Sequence, residues 1–215
     1  MLDLDLLNNL ELLNINIDIF FLLLTFSFFS LAVGLKFIDE AYDGLTFDKK
    51  KANLIAPLIT LISIITMALD SIATVILSAY VISISLQKKL DLKIYKISLF
   101  IFLVLFFWLG LYNNLAGNLP ILIAYIIFTF LDEQGNKIAD HYFLHKDIKI
   151  SPIFAIFMKF RLFIITGTIM LYWFGAINYL YIFPILAWVI GYNLVIIISE
   201  NRKKSKKKQL VIVNL

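Results

Sequence analysis

Residues 52–86 read ANLIAPLITLISIITMALDSIATVILSAYVISISL, an apolar stretch of 35 residues whose single charged residue is Asp70. A membrane-spanning helix needs roughly 20 apolar residues, so this stretch is either one overlong helix or two short helices that turn near Asp70-Ser71. Each half would reach about 26 Å, slightly less than a hydrocarbon core of about 30 Å. The number of crossings, and the side on which each loop lies, depends on this choice.

The composition around this stretch is typical of a membrane protein. Of the 215 residues 61% are hydrophobic, and the mean hydropathy is +0.92, whereas soluble domains are typically about 45–50% apolar. We therefore expect an all-α, polytopic membrane helix bundle with one transmembrane domain at 1–200 and a basic tail at 201–215. The chain has no cysteine, which excludes disulfides, thiolate metal sites and cysteine nucleophiles. Residues 1–35 contain no Lys or Arg, so no cleavable signal peptide is predicted.

The lysines favour two helices within 52–86. Cytoplasmic loops carry an excess of Lys and Arg, which places the basic tail 202–208 inside. Counting back from the tail, Lys49-Lys50-Lys51 lies inside only if 52–86 crosses twice. We predict a multi-pass protein of the cell membrane, with the N-terminus outside and the C-terminus cytoplasmic; six crossings is the alternative. The seven predicted helices lie at about 17–37, 52–69, 70–86, 93–112, 115–131, 152–174 and 177–199.

Two acidic clusters of similar design follow long apolar runs. The first is Asp39-Glu40-Ala41-Tyr42-Asp43, and the second is Asp132-Glu133-Gln134-Gly135-Asn136. Carboxylates so close to hydrocarbon are functional candidates by default. With seven crossings both clusters face the cytoplasm, four crossings apart, which would suit an internal duplication and one shared site. With six crossings they face opposite sides, as in the inverted repeats of transporters.

Paired carboxylate clusters suit magnesium, which takes oxygen ligands and bridges to substrate phosphates. Basic side chains would complete a diphosphate site, because Lys and Arg both bind phosphate. The predicted metal ligands are Asp39, Asp43, Asp132, Glu133 and Asp140. The predicted diphosphate-binding residues are Lys137, Lys159 and Arg161.

This pattern resembles the UbiA-type intramembrane prenyltransferases, which carry two Asp-rich motifs on cytoplasmic loops four helices apart. The residues that match the motifs loosely are Asp39, Asp43 and Asp48 in the first, and Asn136 and Asp140 in the second. Ile38 stands where the first motif has Asn, the Asp43–Asp48 spacing is one residue too long, and the family usually has nine helices in a longer chain. The resemblance implies a Mg²⁺-dependent transferase that acts on an isoprenoid or lipid diphosphate.

Two other functions fit the same acids. Glu133-Gln134-Gly135-Asn136-Lys137 is similar to the E-x-G-D-K signature of small cation exchangers, with Asn136 in place of the Asp. That resemblance implies a cation or small-solute transporter, and it needs six crossings, which would bury Asp70 in the membrane. In a non-catalytic membrane component, the acids would be hydrated helix ends balanced by nearby lysines.

The remaining polar features are two histidines and the basic tail. His141 and His145 are spaced i, i+4 and could share a metal with Asp140, although a pair of interfacial histidines is the simpler interpretation. The basic tail is expected to bind anionic lipid. Nucleic acid is not an expected partner, because no folded basic domain accompanies the tail.

Overall fold

The computed structural model describes residues 4–44, 46–87, 92–145 and 150–213, with side chains over 19–44, 46–87, 92–143 and 150–205. These ranges contain nine α-helices and no strand, so the all-α prediction is confirmed. A 3-10 turn at Tyr179–Tyr181 leads into the last helix. The helices are α1 (Leu4–Tyr42), α2 (Lys49–Leu69), α3 (Ser71–Leu86), α4 (Lys93–Trp108), α5 (Tyr112–Gly117), α6 (Leu119–His145), α7 (Pro152–Lys159), α8 (Leu162–Trp173) and α9 (Ile182–Val213).

Three helical segments of the described chain are long and apolar enough to cross a membrane: Ile19–Tyr42, Lys49–Leu69 and Tyr179–Ser205. The bent pair α7–α8 would be a fourth if it counts as one span. The outward face of α2 carries an exposed apolar stripe of Leu54, Leu58, Leu61 and Ile65, spaced for one side of a helix. Such a stripe suits lipid. The other helices are shorter or more polar; α3 and α4 have 16 residues each, about 24 Å.

The stretch 52–86 divides into two helices at Asp70. Asp70 ends α2 and caps α3, because its Oδ1 accepts a hydrogen bond from the Ala73 amide at 2.6 Å. Its Oδ2 accepts one from the Tyr181 hydroxyl at 2.7 Å. An Asp at the N-cap satisfies amides that a helix start leaves unpaired. The Asp70 cap therefore stabilises the turn between α2 and α3, although the turn contains neither Gly nor Pro.

α1, α6 and α9 extend beyond their predicted ends, α9 through the predicted tail to Val213, and α1 and α6 carry the acidic clusters on helix rather than on loop. α1 continues to Tyr42 and α6 continues to His145, whereas the predicted ends were 37 and 131. In each case a cation forms an ion pair with one of the acids that were expected to end the helix. Lys36 pairs with Glu40 one turn later at 3.1 Å, and Arg161 pairs with Glu133 at 2.8 Å.

The predicted helix at 93–112 ends early. α4 stops at Trp108, and Gly110 adopts a left-handed conformation with φ 65° before the short α5 begins. Glycine takes this conformation without steric cost.

The predicted single helix at 152–174 is wrong, because the chain breaks at Arg161. α7 and α8 meet there at an angle of 82°. Arg161 is the only non-glycine residue with positive φ in the described chain, at φ 58° and ψ 43°. Such a conformation costs on the order of 1–3 kcal/mol and persists where surrounding contacts hold it.

The first and last helices pack side by side and run in the same direction. Their contacts advance together along both helices, from Phe21 with Tyr181 to Phe28 with Trp188, at ring distances of 5.5 and 6.2 Å. Glu40 and Ser199 then meet by a hydrogen bond. α2 runs the opposite way, because Gly34 faces Ile59 while Tyr42 reaches back to Asn53. The bundle thus has an Asp70 end and an acidic end, the latter defined by Asp39, Glu40, Asp132 and Glu133.

Candidate functional site

The acidic end brings the two acidic clusters together at one cavity. Asp39 from α1 and Glu133 from α6 line the same space of about 60 Å³. We call it the polar cavity; its other lining residues are Leu35, Tyr80, Ile84, Tyr95 and Tyr192. A cavity of this size holds several waters, since each needs about 10–15 Å³. The Tyr95 hydroxyl donates a hydrogen bond to the Asp39 carboxylate.

Arg161 neutralises the second acidic cluster from the break between α7 and α8. Its Nη2 lies 2.8 Å from Glu133 Oε2 and 2.7 Å from the Tyr192 hydroxyl, and its Nη1 lies 3.5 Å from Asp132 Oδ2. All three charged residues are buried, with exposures of 3% for Arg161 and 4% for each acid. Charges this deeply buried need such pairing, because transfer from water is costly. The ion cluster therefore explains why the left-handed break is held.

Tyr192 on α9 links the ion pairs of the two clusters. The Arg161 guanidinium lies over its ring at 3.9 Å from the centroid, and the Lys36 ammonium lies over it at 5.2 Å. Cations are attracted to the negative face of an aromatic ring. Since Lys36 also pairs with Glu40, one aromatic ring is shared by the counter-ions of both acidic clusters.

Glu40 does not line the cavity and instead joins α1 to α9 at Ser199 and Lys203. Its carboxylate accepts a hydrogen bond from Ser199 and lies 3.2 Å from the Lys203 ammonium. Thr46, just beyond α1, hydrogen-bonds to Ser199 at 3.0 Å. These contacts give Glu40 a structural role.

A second, apolar cavity of about 90 Å³ adjoins the polar one. The two share Leu35, Tyr80, Ile84 and Tyr95 as lining residues. From these shared residues the apolar cavity extends toward the middle of the bundle, where Leu31, Leu77, Phe102 and Trp188 line it. The pair of cavities thus places a polar lining directly beside an apolar one.

The other predicted site residues lie outside both cavities. Asp43 is exposed beyond the end of α1. Asp140 pairs with Lys159 at the surface. Lys137 is exposed and reaches Gln87 at 3.5 Å. Across the chain as described, no three His, Asp or Glu side chains are grouped as metal ligands. The side chain of His145 lies outside the described residues, so the histidine pair stays a prediction.

Three tyrosines and one lysine of the site were not predicted from the sequence. Tyr80 and Tyr192 stand within apolar stretches, and Tyr95 lies between Lys93 and Lys96 at the start of one. Aromatic residues in such places are usually packing or interfacial anchors. Lys36 could have been predicted as a site residue, because it is the one cation within the first apolar stretch, 17–37. A charge in such a place ordinarily has a partner within the bundle.

Comparisons with known proteins leave the chain without an assigned family. No protein-family model matches it, and neither the curated proteins nor the solved structures contain a significant match.

Proposed function

We propose that this protein binds a lipid-like molecule in the joined cavities and acts as a Mg²⁺-dependent transferase on an isoprenoid or lipid diphosphate. One observation carries the proposal. Each of the two acidic motifs contributes a carboxylate to the same cavity, and that cavity adjoins an apolar one. The apolar cavity would take the hydrocarbon chain, and the polar cavity would take the head group.

Magnesium fits the residues of the polar cavity. It is commonly bound by one or two protein carboxylates and by substrate phosphates, with water completing the shell. Asp39 and Glu133 are two such carboxylates lining one space. When bound, the ion would neutralise the diphosphate and make it a better leaving group. Asp43, Asp132 and Asp140 would take no part, because none of them lines the cavity.

The cations nearest the polar cavity are Lys36 and Arg161, both held over Tyr192. Of the residues predicted to bind diphosphate, Arg161 contacts the cavity residues Glu133 and Tyr192, whereas Lys137 and Lys159 contact Gln87 and Asp140 instead. A diphosphate is larger than the present cavity. Its binding would require Tyr95 and Tyr192 to move apart, which side chains at binding sites commonly do.

The proposal includes seven crossings, with the acidic end at the cytoplasmic face. The parallel arrangement of α1 and α9 supports an odd number of crossings. Each connection between consecutive spanning helices reverses the direction of the chain, so the first and last helices run the same way only when the number of connections is even. The position of Asp70 at the opposite end from the acids agrees with this topology.

Single-cysteine labelling will test the topology without background, because the chain has no cysteine. We expect Asp43→Cys and His141→Cys to react with a membrane-impermeant maleimide from the cytoplasmic face only. Asn178→Cys, which is exposed at the Asp70 end, should react only from outside. Labelling of residues 43 and 141 from opposite faces would contradict the proposed topology and with it the single shared site.

Ligand protection tests the transferase proposal directly. We expect a prenyl diphosphate with Mg²⁺ to raise the melting temperature of the purified protein. At a ligand concentration one hundred times Kd, binding adds about 2.7 kcal/mol to the free energy of unfolding. Asp39→Asn should abolish this rise, because it removes one of the two carboxylates of the cavity. The readout is thermal unfolding in detergent, with and without EDTA.

Asp43→Asn is the matched control. It makes the same change four residues later at an exposed site, so protection should be retained. Equal loss of protection in both variants, or no protection of the parent protein by any prenyl diphosphate, would contradict the proposal.

A cation or small-solute transporter is the second candidate, and the break at Arg161 favours it. Transporter sites are typically built where spanning helices are interrupted, near buried ionisable groups. Protection by a cation alone, with no further rise on addition of lipid diphosphate, would support this function and oppose the transferase.

A further inference from the structure

Two helices that line the apolar cavity give it the same length. The cavity begins at the residues that it shares with the polar cavity, among them Ile84 of α3 and Tyr95 of α4. The lining residues farthest from the polar cavity on these two helices are Leu77 and Phe102. Each lies about two helical turns from the shared residue on its own helix, which corresponds to about 10 Å.

Packed aromatic rings fill the far end of the apolar cavity. Phe102 stacks on Phe106, one turn further along α4, at a ring distance of 5.7 Å. Trp188 of α9 packs against Phe28 of α1 at a ring distance of 6.2 Å. All four residues are buried, with exposures of 7% or less. A well-packed core resists the insertion of further methylene groups, so a chain longer than the cavity would have to displace these rings.

The length of the cavity limits the chain that it can hold. An extended peptide advances at most about 3.6 Å per residue over its three backbone bonds, which is about 1.2 Å per bond. An isoprene unit has four main-chain bonds and therefore advances about 5 Å by the same measure. Two isoprene units reach the far end of the cavity, and a third would extend into the packed rings.

We infer that the apolar cavity selects a short isoprenoid chain of two units, a ten-carbon prenyl group, and that Phe102 limits its length. The inference rests on the proposed function for the diphosphate head group, and on the cavity itself for the length of the chain. The head group lies in the polar cavity with Asp39 and Glu133. The chain then starts at the level of Tyr95, and its last carbons lie against Phe102.

The dependence of thermal protection on chain length tests this inference. The purified full-length protein is titrated with prenyl diphosphates of five, ten, fifteen and twenty carbons in Mg²⁺, and with the corresponding prenyl alcohols in EDTA. In each series we expect the ten-carbon compound to bind about tenfold or more tighter than the twenty-carbon one, equivalent to about 1.4 kcal/mol. The five-carbon compound should also bind more weakly, because it buries less apolar surface.

Ser98→Phe should shorten the cavity. Ser98 lines it about one turn from Tyr95 and one turn before Phe102, so a ring there would occupy the space of the second isoprene unit. The ten-carbon compound should then bind no more tightly than the five-carbon one. Ile97→Phe is the matched control, because it adds the same ring at an exposed position of α4 and should retain the preference for ten carbons.

Phe102→Leu should lengthen the cavity and move the optimum to fifteen carbons, because it removes the ring at the far end and keeps an apolar side chain. Phe107→Leu makes the same change at an exposed position and should leave the optimum at ten carbons. Equal binding of the ten-, fifteen- and twenty-carbon compounds to the parent protein would overturn the inference. An optimum that stays at ten carbons in both Ser98→Phe and Phe102→Leu would overturn it as well.

The two series of compounds separate this inference from the proposed function. A ten-carbon optimum among the alcohols, without Mg²⁺-dependent protection by any diphosphate, would support the chain length and contradict the transferase. Mg²⁺-dependent protection that is equal for all chain lengths would support the transferase and contradict the chain length.

Discussion

Replacing Arg161 with leucine is expected to destabilise the folded protein by about 3–5 kcal/mol, because it leaves Asp132 and Glu133 buried without their counter-ion. The same change removes the contacts that hold the left-handed backbone at the break. Unfolding by a denaturing detergent, followed by circular dichroism or by proteolysis, measures the difference. We expect the bend between α7 and α8 to relax in the variant, exposing new cleavage sites near residue 161.

Lys159→Leu is the matched control for this prediction. It removes a cation two residues earlier, from a half-exposed pair with Asp140 that contributes less than about 1 kcal/mol. Combining Arg161→Leu with Asp132→Asn and Glu133→Gln should restore much of the lost stability, because no buried charge is then left unpaired. If Arg161→Leu alone unfolds like the parent protein, the two acids are hydrated and the buried cluster does not exist.

Gly191→Ala is expected to cost about 1–3 kcal/mol by separating α9 from α1. A Cβ at this position would lie 2.9 Å from the backbone carbonyl oxygen of Phe29 and 3.1 Å from the Val33 side chain. A backbone atom cannot rotate away, so the whole helix must shift. Small residues permit this close approach of helices in membranes. Thermal unfolding in detergent gives the measurement.

Gly117→Ala provides the comparison, because no atom beyond its chain neighbours and its own helix backbone lies within 4 Å of the Cβ it would add. This substitution should change the free energy of unfolding by no more than about 0.5 kcal/mol. Equal losses at positions 117 and 191 would indicate a general sensitivity of glycines rather than a close contact between the two helices.

The sequence was informative about helices and about the turn at Asp70. Apolar length and the placement of Lys49-Lys50-Lys51 favoured two helices in 52–86, and the structure has them. The physical reason for the turn lies in the Asp70 cap, which also bonds to Tyr181, 111 residues further along the chain. A partner so distant cannot be read from local pattern.

The helix ends near the acids were mispredicted for a related reason. Asp132 and Glu133 were expected to end a helix, because charges usually mark the membrane boundary. Their counter-ion, Arg161, comes from another helix, and once paired they continue α6. The break at Arg161 has the same origin. Neither Gly nor Pro marks it, and it exists because tertiary contacts outweigh the local preference for helix.

Part of the candidate site could be predicted and part could not. Asp39 and Glu133 are predicted site residues because they follow the ends of apolar runs, and both line the polar cavity. The tyrosines around them gave no separate signal, since aromatic residues are abundant in this chain. Charge and position in the sequence predict that Lys137 and Lys159 bind diphosphate, and the structure places them at Gln87 and Asp140 instead. Whether the predicted metal ligands bind an ion stays a prediction.

The pairing of α1 with α9 has a consequence for how the protein is made. Phe21 and Tyr181 are 160 residues apart, yet they are neighbours in the bundle. At about 5–20 residues per second, a ribosome would take roughly ten seconds or longer to synthesise that interval. During this time the polar side chains of α1, among them Lys36 and Glu40, would be in the bilayer or at the insertion machinery without Tyr192 and Ser199. The Lys36–Glu40 ion pair lies within α1 itself, so it can neutralise both charges before α9 is synthesised.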